Sequence, residues 1–190
     1  MRNWLAALAA IPLLLAASNN AQADFSGAYD PGNWVKTISD TGSINTSGAP
    51  TSVTFTGGSS GSGNPSSQIM QITIPVTGTL SFDWQYVTYD ISGPTYDPFG
   101  YILNGTPYQL TSNNGTATQS GGISLPLTSG NIFAFDQYST DSIGGAGVTT
   151  ISNFSGPAGA QGPGTNVPEP ATLALLGLSL LGLAASRKVR

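Results

Sequence analysis

The chain has 190 residues, room for one ordinary domain and hardly two. Only 7% of the residues are charged, against about 25% in typical soluble domains, while 25 Gly and 13 Pro make up a fifth of the chain. There is no His and no Cys, which excludes a Ser-His-Asp triad, a Cys nucleophile, a thiolate zinc site, a haem His and an internal disulfide. Lys36 is the only basic residue from Asp24 to Asn166; against eight Asp this leaves a formal charge of −7, which repels phosphate backbones and argues against nucleic acid as a partner.

The first predicted element is a short N-terminal helix. Arg2 supplies a positive start, and Leu5 to Ala17 is an apolar run of 13 residues interrupted only by Pro12. Ala21-Gln22-Ala23 follows, a small-x-small triplet. This is the pattern of a secretory signal peptide over 1–23, read by signal peptidase at Ala21 and Ala23. Thirteen helical residues reach only about 20 Å, short of a hydrocarbon core of roughly 30 Å. The mature chain is expected to start at Asp24 and to fold outside the cytoplasm.

From Asp24 to Ser155 no apolar pattern holds a helical period. Thr, Ser and Gly dominate, which suits strands and turns. Leu80, Phe82, Trp84 and Tyr86 alternate with Ser81, Asp83 and Gln85, placing the first set in a core. Phe99, Tyr101 and Leu103 alternate before Asn104-Gly105, a strong tight-hairpin signal. Phe133 and Phe135 alternate with Ala134 and Asp136. Eight strands are predicted, at 51–57, 67–75, 78–87, 99–104, 106–111, 117–125, 131–138 and 146–154, with a further one around Trp34 to Ile38. Gly57 to Pro65 reads as a loop. The fold class is all-β, a single antiparallel β-sandwich of jelly-roll type over 24–155.

Gly156 to Asn166 is a Gly/Pro-rich flexible linker. Val167-Pro168-Glu169-Pro170 comes next, then an apolar run of 15 residues from Ala171 to Ala185, then Ser186-Arg187-Lys188-Val189-Arg190. A helix can start just after Pro170, and 171–185 reads as a short transmembrane helix with Arg187, Lys188 and Arg190 as its basic stop. The positive-inside rule keeps those residues cytoplasmic and the domain on the far side.

The ordered succession of Pro168-Glu169-Pro170, apolar helix and basic cluster over 167–190 resembles the PEP-CTERM sorting signal, a motif also labelled an ice-binding-protein C-terminal domain. The resemblance implies recognition of Pro168, Glu169 and Pro170 by exosortase, a membrane-embedded protease-transpeptidase of Gram-negative bacteria that make exopolysaccharide. It implies anchoring in the inner membrane facing the periplasm, removal of the helix, and delivery to the outer surface or matrix. A second resemblance covers roughly 78–157. Ser81-Phe82-Asp83-Trp84, Tyr96-Asp97-Pro98-Phe99-Gly100-Tyr101, Leu103-Asn104-Gly105 and Ile151-Ser152-Asn153-Phe154 look like a β-rich module of exported bacterial proteins, a resemblance that brings fold and setting but no settled ligand.

Two sets of residues in the domain can carry chemistry. Asp83, Asp90, Asp97, Asp136 and Asp141 are the only carboxylates from residue 78 to the linker. Gathered at one rim of the sandwich they could bind Ca²⁺, which takes six to eight oxygen ligands; kept apart, they cap turns. A glycosidase pair needs two carboxylates across a cleft, and the domain has no Glu or His and no Arg to clamp a substrate, so the chain reads as non-enzymatic. Tyr89, Tyr96 and Tyr108 lie near predicted loops and are candidates for stacking on sugar rings. The sequence therefore reads as a structural or adhesive surface component, with carbohydrate binding as the alternative, exopolysaccharide being the candidate ligand and calcium the candidate cofactor.

Overall fold

The computed structural model describes residues 24–158. Ten strands follow two 3₁₀ turns (Gly27–Tyr29 and Pro31–Asn33): β1 (Val35–Ile38), β2 (Ser43–Asn45), β3 (Ser52–Thr56), β4 (Ser66–Thr73), β5 (Gly78–Thr88), β6 (Phe99–Leu103), β7 (Thr106–Gln109), β8 (Thr118–Leu127), β9 (Ile132–Ser139) and β10 (Gly147–Ser155). All eight predicted strands and the additional one after Trp34 are present. Strand β2 was not predicted, because Ile44 is its only apolar residue and its pairing with β3 defines it. The expected signal helix at 1–23 and membrane helix at 171–185 lie outside the described residues. Among the described residues no helix is long and apolar enough to cross a membrane.

The strands form two five-stranded sheets, β1-β4-β9-β6-β7 and β2-β3-β10-β5-β8, and every pairing is antiparallel. Numbering β3 to β10 as one to eight, one sheet runs first, eighth, third, sixth and the other second, seventh, fourth, fifth. That is the double Greek-key order of a jelly roll, with β1 and β2 added at the edges. Pro107 and Pro126 sit inside strands without breaking the sheets, since β7 and β8 are both edge strands that can spare an N–H. The β6–β7 turn carries positive φ at Asn104 (50°) and Gly105 (83°), as a type I′ hairpin requires. The Asn104 carboxamide oxygen also accepts from the Ile132 N–H at 2.8 Å, which fixes the hairpin against β9.

Alternation turns one face of each sheet inward. Phe135 lies at the middle of the resulting core, with ring centroids of Phe82 and Phe133 at 5.0 Å, Trp34 at 5.7 Å and Phe55 at 5.8 Å. Phe25, Tyr29 and Trp34 come from the segment before β1 and are buried. Phe25 stacks on Phe154 at 4.4 Å, and the Tyr29 hydroxyl donates to the Pro157 carbonyl at 3.0 Å, so both ends of the domain close the same end of the sandwich. The Gly57–Pro65 loop is held by Asp40, whose carboxylate accepts from the Ser60 and Ser62 hydroxyls; these bonds and the Thr41 N–H pull its carboxyl down to about 2.

Candidate functional site

The register lays out the outer face of β1-β4-β9-β6-β7 in rows. One row runs Ile69, Asp136, Gly100, Gln109; the next runs Gln71, Ala134, Ile102, Pro107. Beside the first row stand Ser67 and Tyr138, paired across β4 and β9, with Pro98 accepting from the Tyr138 N–H at 3.0 Å. Gly100 puts no side chain next to Asp136. A Cβ there would lie 2.2 Å from the Tyr108 carbonyl oxygen, so β7 rides close over β6 only because residue 100 is glycine. The result is a hollow of about 310 Å³, lined by Pro98, Ile102, Pro107, Tyr138 and Gln109 with Asp136 among its walls, at the lower end of the ~300–1,000 Å³ of small-molecule sites.

Asp136 is unusual in this hollow. Its Oδ1 is shielded from solvent and has no hydrogen-bond partner. Burial raises the Asp136 carboxyl above the ordinary carboxylate range, partly offset by the Ser67 hydroxyl. The lining thus combines aromatic and aliphatic surface with one carboxylate and one carboxamide. That composition suits a ligand with an apolar face and hydrogen-bond donors at its edge. The Gln109 carboxamide is already engaged, donating to the Thr111 carbonyl and to the Asn113 side chain.

The five aspartates named from sequence are dispersed. Asp83 is exposed on the outer face of the opposite sheet, where its Oδ2 accepts from the Asn153 amide at 2.7 Å. Asp136 lies in the hollow. Asp90, Asp97 and Asp141 belong to one end of the sandwich. There Asp90 accepts from the Ser92 N–H and Asp141 from the Ile143 N–H at 3.0 Å, each capping a turn two residues on. Among the described residues no three acidic side chains form a group that could hold a metal ion.

Asp97 is fully buried. Its Oδ2 accepts from the Thr88 hydroxyl at 2.8 Å while its Oδ1 has no partner. Burial pushes its carboxyl up to about 6; the Thr88 and Ser139 hydroxyls oppose this, and the charges of Asp90 and Asp141 add to it. The Asp97 carbonyl accepts from Gln137, whose Oε1 accepts from Thr149 at 2.7 Å, so the two sheets are joined here by buried polar bonds.

The three tyrosines also part company. Tyr108 lines the hollow and stacks on Tyr101 at 4.9 Å. Tyr89 and Tyr96 are exposed in the β5–β6 connection, away from the hollow's lining and beside the turn-capping aspartates. Sequence reasoning passed over Tyr138, Pro98, Gly100, Ile102 and Pro107 as site residues. The alternation of β9 held the signal for Tyr138: with Phe133 and Phe135 inward, Asp136 and Tyr138 share the outer face.

No curated protein matches the chain. The fold is similar to solved carbohydrate-binding modules. A family 35 module from Clostridium thermocellum is 14% identical with a TM-score of 0.32, covering 61% of this chain and 90% of that one. A family 35 module from Cellvibrio japonicus is 17% identical with a TM-score of 0.32, covering 75% and 96%. The N-terminal cellulose-binding domain of a Cellulomonas fimi β-1,4-glucanase is 12% identical with a TM-score of 0.38, covering 69% and 91%. The PEP-CTERM protein-sorting motif matches residues 166–188, which include Pro168, Glu169, Pro170, Arg187 and Lys188 and lie outside the described residues. The motif implies exosortase as sorting partner and an exported, membrane-processed protein. Behind its β-sandwich domain, then, the chain carries a PEP-CTERM sorting signal.

Proposed function

We propose that this protein is a non-catalytic, adhesive component of the cell surface or extracellular matrix that holds a polysaccharide on the outer face of the β1-β4-β9-β6-β7 sheet. The observation that carries this reading is the hollow around Asp136. A sugar ring has an apolar C–H face and a rim of hydroxyl donors. Tyr138, Ile102 and Pro107 offer surface to the first, and the acceptor Asp136 to the second. Sorting by exosortase would place that face where exopolysaccharide is. The hollow has one carboxylate among its lining residues, whereas general acid–base cleavage of a glycosidic bond uses two.

The test is affinity electrophoresis of the purified full chain through gels containing exopolysaccharide from the producing cells. Retardation is expected, with about a tenfold weakening in Tyr138→Ala, the loss of one stacking aromatic. Unretarded migration of the wild-type protein would reduce the domain to a passive building block of the matrix.

A further inference from the structure

We propose that the hollow prefers glycans bearing free amino groups, with the Asp136 carboxylate as their counter-charge; this rests on the glycan-binding reading above. Asp136 stands mid-sheet between Ile69 and Gly100 among the walls of the hollow, and its Oδ1, closed to solvent, has no protein donor. No cation of the domain can neutralise it. Lys36, the only basic residue from Asp24 to Asn166, lies on the edge strand β1 in register with the inward-facing Met70, out of Asp136's row. A half-buried carboxylate whose one protein donor is the Ser67 hydroxyl is costly, and it gains most from a donor that also carries positive charge, since charge-assisted hydrogen bonds are roughly twice as strong as neutral ones. A hydroxyl supplies only the donor. A uronate or sulfate would bring a second negative charge against Asp136 and against a span with a formal charge of −7. The same net charge draws an amino-bearing polymer toward the domain. The aliphatic and aromatic walls then distinguish a sugar ring from a bare cation.

Calorimetric titration of the full chain in detergent tests this. The probes are a β-linked glucosamine hexamer, the same hexamer fully N-acetylated, and hexalysine. The glucosamine hexamer should bind at least tenfold more tightly than either of the others. Asp136→Asn should erase the preference while N-acetylated hexamer binding persists. Asp83→Asn, which removes the same charge from the opposite outer face, should leave the preference intact. Near-equal affinity for the two sugars, or a preference that survives Asp136→Asn, overturns the amino selectivity and leaves glycan binding standing. Hexalysine binding as tight as the glucosamine hexamer overturns it too, by making the hollow a simple cation site. If neither sugar binds and the producing cells' exopolysaccharide does not bind either, the underlying glycan reading fails.

Discussion

The two outer faces of this sandwich rest on one shared core and obey the same alternation, yet they are built differently. On β2-β3-β10-β5-β8 the central rows read Thr54, Thr150, Gln85, Ser120 and Ser52, Ser152, Asp83, Gly122. Thr54 and Thr150 hydrogen-bond each other at 3.1 Å, and Asp83 is satisfied by Asn153. That face is a plain solvated surface. On β1-β4-β9-β6-β7 the corresponding rows hold Ile69, Ala134, Ile102, Tyr138 and Pro107 around a carboxylate with an unpartnered oxygen. Solvation does not require that apolar surface, and water alone is a poor occupant for it. The difference teaches that two faces over one core diverge in the outward half of the strand pattern, which core-building leaves free.

The comparison can be broken most severely from beneath. Phe135→Ala removes the ring on which Trp34, Phe55, Phe82 and Phe133 converge. It should cost about 3–5 kcal/mol in chemical denaturation, with both faces lost in one transition; separate transitions for the two sheets would show that they are not one unit. Asp97 tests whether the polar end couples the sheets. Its folded pKa of about 6 lies above the ordinary value of 3.8, so its contribution is fully present below pH 3.8 and is lost as pH rises to about 6. Between those limits wild type should lose roughly 2–3 kcal/mol relative to Asp97→Asn. Parallel pH–stability curves for the two proteins would remove Asp97 from this account.

Gly100→Ala sharpens the contrast between the faces. Its methyl group would press on the Tyr108 carbonyl, costing about 1–3 kcal/mol as β7 shifts, and polysaccharide binding should weaken with the reshaped hollow. Unchanged melting would show that β7 adapts freely. The smallest effect belongs to the solvated face. Gln85→Ala should change stability by less than about 0.5 kcal/mol and leave polysaccharide binding untouched. A binding loss there would move the functional face to the other sheet.

Much of the fold was legible. The run from Leu80 to Tyr86 announced a strand with Trp84 and Tyr86 inward, and both are buried. Asn104-Gly105 marked its hairpin through the backbone freedom of two residues. Phe25, Tyr29 and Trp34 escaped notice as core, because they lie in 3₁₀ turns and extended chain, where no period reveals a face. The site was less legible than the fold. Asp136 was singled out, but for a calcium-binding rim shared with Asp141 and three other aspartates. Asp136 and Asp141 are five residues apart in the chain, yet one sits within β9 on the outer face and the other beyond its end, capping a turn. Tyr108, named for its place near a predicted loop, lies in β7 and lines the hollow, whereas Tyr138 was passed over.

By itself the sequence determined the all-β class, the approximate spans of nine of the ten strands, the inward face of clearly alternating strands such as β5, and the sorting signal at the C-terminus. These depend on local chemistry: a period of two, turn residues, and the succession of triplet, apolar run and basic cluster. The tertiary structure alone decided that Gly100 and Asp136 are neighbours, that Asp83 and Asp136 face opposite ways, and that Asp97 lacks a partner for one oxygen. Strands far apart in the chain meet only through long-range pairing, and no local pattern specifies which rows their outward side chains will share.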